Sequence, residues 1–172
     1  MAFDAYLKID GIPGESTDDK HAEWIEVVGY EYGATQATSA TASSAGGASS
    51  ERVNLSDFSI RKFVDKASAK LFETCCKGQH IKKMVLHVNR AGGDKVTYLT
   101  ITMEEVVVSS VKFLGNMEAG NDASDVSDLP KEEIKFNYAR IKTEYVQQKR
   151  GDGQGGGKVV GGWDRTKNKT HA

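Results

Sequence analysis

The chain has two prolines, two cysteines and no long apolar run. Each shortage excludes something. Cys75 and Cys76 are adjacent, and neighbouring residues on a helix point about 100° apart, which strains a disulfide between them. A zinc site wants further Cys or His at regular spacing, and none lies near. The pair reads as small core or half-buried thiols of a reducing cytoplasm. A membrane helix needs ~18–20 consecutive apolar residues. Asp4, Lys8 and Asp10 interrupt the N-terminal stretch, so neither a span nor a signal-peptide core is expected. Charge of one sign is also lacking, since 23 basic and 24 acidic side chains leave a formal charge of -1. Nucleic-acid affinity rests on phosphate neutralisation, so that class is set aside together with membrane insertion.

What is present fits a single β-rich domain over 1–172, with 38% hydrophobic residues and 18 glycines. Phe3, Ala5, Leu7 and Ile9 alternate with polar neighbours, the period of a half-buried strand. From Trp24 to Tyr32 bulky groups occupy both parities, which predicts cover on both faces, from the core on one side and from deeper structure or another subunit on the other. Residues 53–60 resume strand alternation, with a bulge expected near Ser56 and Asp57. A helix is predicted over about 65–77, capped by Asp65 or Ser68 and stopped by Gly78, with Leu71, Phe72, Cys75 and Cys76 inward. Residues 84–90 and 95–108 read as a hairpin around Gly92 and Gly93. A long strand follows over 134–145, its inward parity switching near Ala139 and Arg140. The tail 150–172 reads as glycine-rich and flexible, with one short strand near Val159, Val160 and Trp163. The sum is seven or eight antiparallel strands and one helix, closing economically as a barrel or sandwich.

Residues 34–50 are all Ala, Ser, Thr or Gly except Gln36. Such a segment cannot order itself by burial, and its lack of charge favours a loop that lies against a partner over a solvated one. Its extent is taken as 34–52. Residues 115–133 carry six acids and one lysine, and the tail from Lys149 carries six bases and two acids. Opposite patches favour head-to-tail association.

The search for chemistry yields no catalytic, metal-binding or cofactor-binding set. His21, His80, His87 and His171 show no zinc spacing, and His87 reads as a hydrogen-bonded or surface residue of a strand. Residues 151–158 imitate a phosphate loop, but Asp152 and Val159 stand where such a loop needs Gly and Ser or Thr. No enzyme is expected.

Several segments, in order along nearly the whole chain, resemble the haemolysin-coregulated protein (Hcp) family, the tube proteins of bacterial type VI secretion. They are Lys8-Ile-Asp-Gly-Ile-Pro-Gly-Glu-Ser16, Trp24-Ile-Glu-Val-Val-Gly-Tyr-Glu-Tyr32 and Phe58-Ser-Ile-Arg-Lys-Phe-Val-Asp-Lys66. Arg90-Ala-Gly-Gly93, the strand from Tyr98 to Ser110, Tyr145-Val-Gln-Gln-Lys149 and Gly161-Gly-Trp-Asp164 complete the set. The resemblance implies a mostly β fold, an antiparallel β-barrel of two sheets with one short helix, assembled as a hexameric ring. It implies rings stacked into a tube, a contractile sheath and baseplate, a VgrG spike, and effector proteins carried and stabilised in the lumen. It implies export through the apparatus without a signal peptide. Thr38, Ser43, Ser44, Gly46, Gly47 and Ser49 then belong to the loop that packs against neighbouring subunits or rings, and Trp163 is the expected anchor of the tail. The alternative is a monomeric β-sandwich binding module with no role in secretion.

Overall fold

The computed structural model describes residues 3–37, 52–91, 96–115, 129–148 and 155–171. Within them the order is β1 (Phe3–Ile9), β2 (Ile25–Val27), β3 (Gly29–Glu31), β4 (Ala34–Thr35), β5 (Asn54–Leu55), β6 (Phe58–Phe63), α1 (Ser68–Lys77), β7 (His80–Arg90), β8 (Thr97–Leu114), β9 (Lys131–Gln148), β10 (Gly155–Asp164) and β11 (Lys169–Thr170). The strand pairs are antiparallel. Neighbours run β2–β1–β7–β8–β9–β6–β3. Because β2 and β3 are one stretch of chain broken only at Val28, the ladder returns on itself and closes a barrel. The Val28 amide makes the corner, donating to the Arg61 carbonyl at 2.8 Å. Closure leaves only the short strands β2 and β3 paired on one edge each, β2 with β1 and β3 with β6.

A crease crosses three strands. In β8 the buried side chains are Ile101 and Met103 before it, Val106 and Val108 after it. In β9 the buried apolar side chains are Ile134, Phe136 and Tyr138, then Ile141; in β7 they are Ile81, then Met84, Leu86 and Val88. Each strand changes inward parity at the same rung, where Lys83 pairs with Glu104 and Glu104 with Arg140. Glu105, beside that rung, has φ of +51°, a left-handed conformation uncommon for a residue with a Cβ. The crease is also where β9 exchanges partners. Residues 131–136 bond β6, whereas 140–148 bond β10. One sheet thus closes the barrel and the other continues outward as β9–β10–β11. The parity switch expected near Ala139 and Arg140 lies here.

Three expectations need correction. The Trp24–Tyr32 strand is two strands, inward at Ile25 and Val27 before the Val28 corner, with Tyr30 and Tyr32 packed on the core after it. Bulk on both parities reflects that bend, and the outward-facing Trp24 is met by the chain's own His21 and His87. The helix begins at Ser68, and its buried residues are Ser68, Leu71 and Thr74; Phe72 and Cys76 are exposed and Cys75 is half-buried. A polar network around Ser68 sets this rotation. Gly78 ends the helix as expected, at φ 60°. Finally, the region read as a flexible tail contains a ten-residue strand, β10. Its glycines let it approach closely: a Cβ on Gly162 would fall on the carbonyl oxygens of His171 and Ile141.

Candidate assembly surfaces

The sheet extension carries apolar side chains that the described residues leave exposed. Leu99, Tyr145 and Val159 occupy one rung across β8, β9 and β10. Tyr145 and Val159 remain 46% and 66% exposed, and Val160, on the opposite face of the same strand, 39%. Alternation along a strand puts Val159 and Val160 on opposite faces, so the Tyr145 and Val159 face is apolar while Val160 stands on a face it shares with Lys142, Glu144 and Lys158. Edge-to-face packing of Tyr98 on Tyr145, with centroids 6.5 Å apart, braces the shelf. Beside it Glu144 receives Lys158 at 2.8 Å, and that bond holds its carboxyl below the ordinary range.

Trp163 is the penultimate residue of β10, opposite Ile141 on β9 and Thr170 on β11. Its ring lines a cleft with Ala34, Gln36, Arg52, Val53, Leu55 and Asn168. The indole Nε1 is buried without a hydrogen-bond partner among the described residues. Next to it Asp164 turns the chain: its Oδ1 accepts the Thr166 hydroxyl at 2.6 Å and the amides of Thr166 and Lys167 at 2.9 and 3.0 Å. The Thr166 hydroxyl bond and those amides keep the Asp164 carboxyl below its usual range. The cleft therefore joins the tail hairpin to the stems of the small-residue loop, where β4 pairs β5 at Ala34–Leu55 and Thr35–Asn54. Thr38, Ser43, Ser44, Gly46, Gly47 and Ser49 lie outside the described residues, as do the acidic stretch 116–128 and the basic start of the tail.

Two buried polar clusters escaped the sequence reading. Lys62 and Glu132 are register partners on β6 and β9, both fully buried. Lys62 Nζ lies 2.7 Å from Glu132 Oε1, 2.7 Å from Asp65 Oδ1 and 2.8 Å from the Phe63 carbonyl. The Ser68 hydroxyl donates to Glu132 Oε1 at 2.7 Å, and the Asp65 carboxylate accepts the Ala67 amide at 2.9 Å. The start of α1 is thus tied to the barrel by charge. A signal existed: Lys62 shares the parity of Phe58 and Ile60. The second cluster joins His21 to His87, at 3.0 Å; nothing in the sequence places a residue of the first loop against a strand 66 positions on. Among the described residues no three His, Cys, Asp or Glu side chains converge as a metal-holding group. No described helix is long and apolar enough to cross a membrane.

The geometry defines a class: an antiparallel β-barrel with one helix and an apolar sheet extension outside its core. A family model described as type VI secretion system effector, Hcp, matches residues 6–145. Protein hcp1 of Pseudomonas aeruginosa is 36% identical over 169 residues, covering 98% of each chain. A solved structure of a type six secretion system protein superposes with a TM-score of 0.88 at 35% identity, covering 99% of this chain and 100% of the other. Hcp1 from Salmonella typhimurium superposes with a TM-score of 0.78 at 31% identity, again over 99% and 100%. The chain belongs to the Hcp family of type VI secretion tube proteins.

Proposed function

We propose that this chain assembles as a homohexameric ring, that the rings stack into the inner tube of the secretion apparatus, and that effectors travel in the lumen. The observation that carries this reading is the exposed apolar pair Tyr145 and Val159 on a sheet that leaves the barrel, with a second exposed valine, Val160, on the opposite face. Contiguous exposed apolar surface marks interaction sites, and exposed valines on both sides of one strand suit a ring, where each subunit meets two neighbours. The contractile sheath, baseplate and VgrG spike are the partners that propel and tip such a tube. The role is structural, and the chain leaves the cell through the apparatus. The small-residue loop, carrying Thr38, Ser43, Ser44, Gly46, Gly47 and Ser49, packs against neighbouring subunits or rings, and Trp163 anchors the tail hairpin against its stems.

Native mass and negative-stain imaging of the wild type and of Val159→Asp test the reading. Sixfold rings are expected for the wild type and dissociated, folded subunits for the variant. A wild type that stays monomeric, even with the sheath and spike proteins added, would favour the binding-module alternative. Rings unaffected by Val159→Asp would remove the shelf from the interface.

A further inference from the structure

The segment from Pro13 to Trp24 runs between two buried core residues, Ile12 and Ile25, and lies over the outer face of the β1–β7 pair. Its own backbone bonds close it into a unit: Gly14 N to Glu23 O at 2.8 Å, Glu23 N to Ser16 O at 2.8 Å and Ser16 N to Trp24 O at 3.0 Å. A row of rings joins that unit to the sheet. Tyr6 and His87 are register partners. His21 stacks flat on Tyr6, with centroids 4.4 Å apart and 6° between planes, and Trp24 leans on His87 at 4.7 Å. A hydrogen-bonded chain runs through the row, from Asp18 Oδ1 to His21 Nδ1 at 2.8 Å and from His21 Nε2 to His87 Nδ1 at 3.0 Å. The Asp18 and His21 side chains are 7% and 3% exposed.

Proton counting limits this chain. A bond between two imidazole nitrogens holds one hydrogen. With Asp18 ionised, His21 donates from Nδ1, and either His21 Nε2 or His87 Nδ1 carries the hydrogen between the rings. The pair accordingly holds one positive charge or none; two would set N–H against N–H. Asp18 offsets the first charge. For the second the surroundings offer little. Lys8 sits over Trp24 and is itself positive. β8 places the neutral Thr100 opposite His87. Asp4 of β1 shares that face but pairs with Asn89, a diagonal position roughly 7–8 Å away. The carboxylates on the His87 rung, Glu26 of β2 and Glu144 of β9, stand two strands off, roughly 10 Å at the usual strand spacing, and Glu144 is taken by Lys158. Glu15 and Glu23 reach Lys66 on the far side of the segment.

We propose that Asp18, His21 and His87 form an acid-release latch, in which uptake of a second proton by the histidine pair breaks the His21–His87 bond and frees Pro13–Trp24 from the outer face of β1 and β7. Burial, and then the neighbouring His21, hold His87 below the ordinary imidazole value of 6.5. The direction follows from the lowered value. The latch contributes fully above the ordinary value and is lost as pH falls through the folded value of His87.

Amide hydrogen exchange on the full chain, corrected for intrinsic rates, tests this between about pH 7.5 and about pH 5, the range in which an imidazole rather than a carboxyl group ordinarily titrates. Opening of residues 13–24 is expected to grow by up to about tenfold per pH unit below 6.5, the limit for one linked proton, while the amides of Ile101 and Met103 stay protected. His87→Gln keeps a hydrogen-bonding group toward His21 but takes up no proton, and its loop should show no such rise. A wild-type loop with constant protection, or an equal rise in His87→Gln, overturns the latch. If that variant does not fold, ring-proton NMR of the wild type decides. Loop opening that tracks the second histidine step supports the latch, and opening at a different pH refutes it.

Discussion

Lys62 is the residue on which two elements depend. Its ammonium is fully buried between the carboxylates of Glu132 and Asp65, and removing one member of such a set strands the others without water. Lys62→Met should cost about 3–5 kcal/mol, the range for breaking a buried pair. Lys62→Met combined with Glu132→Leu and Asp65→Asn should recover most of that loss, since replacing a whole buried ionic set with neutral, packed groups is often neutral or stabilising. Urea unfolding of both variants checks this, and an equal loss in each would show that the pair is not the source. Glu132 Oε2 has no partner among the described residues, so its carboxylate already rests on the Oε1 contacts alone. The same cluster explains why Ser68 faces inward while Phe72, the more hydrophobic residue, is exposed.

At the scale of elements the crease and the extension carry the predictions. Arg140 bonds Glu104 at 2.7 Å and Glu105 at 3.0 Å. The Arg140 bond is the main cause that holds the Glu104 carboxyl below its ordinary range. A lowered carboxylate contributes stability above its ordinary value and loses it as pH falls through the folded value. Arg140→Gln should therefore move the Glu104 titration upward toward the ordinary range, as read by carboxyl-carbon NMR; an unmoved titration would assign the lowering to other neighbours. In the extension, Gly162 is flanked by backbone on both sides, with no flexible side chain to yield. Gly162→Ala should part β10 from β11 or from β9, at about 1–3 kcal/mol for a forced contact, seen as faster amide exchange over 162–171. Trp163→Ala should loosen the same amides while sparing the barrel. Unchanged exchange in that variant would count against Trp163 as the anchor.

For the whole molecule the question is how a closed barrel becomes a tube. Barrel closure gives β1, β7 and β6 a paired neighbour on each edge, but the extension leaves valines on both faces of β10. The stems of the small-residue loop emerge from a two-rung ladder beside Trp163. If that loop packs rings, replacing Gly46 and Gly47 with bulky charged residues should abolish stacking while leaving circular dichroism and the single subunit unchanged. Sedimentation at micromolar concentration reads the outcome, and unaltered assembly would sink the role.

Strand β1, the site of the β9 parity switch and the Gly78 stop were legible in the residues, because alternation and glycine chemistry are local and survive without knowledge of partners. The family, too, was legible from motifs spread along nearly the whole chain. The Val28 corner, the rotation of α1 and the ten-residue β10 were not. Each depends on which strand happens to lie alongside: Arg61 accepts the Val28 amide, Lys62 and Glu132 capture Ser68, and the second half of β9 offers β10 an edge. The histidine pair is the clearest case, since His21 and His87 meet only because β1 and β7 are neighbours and the first loop folds back across them. Local pattern determined which segments form strands and where they stop; the pairing of distant segments decided which polar groups share a site.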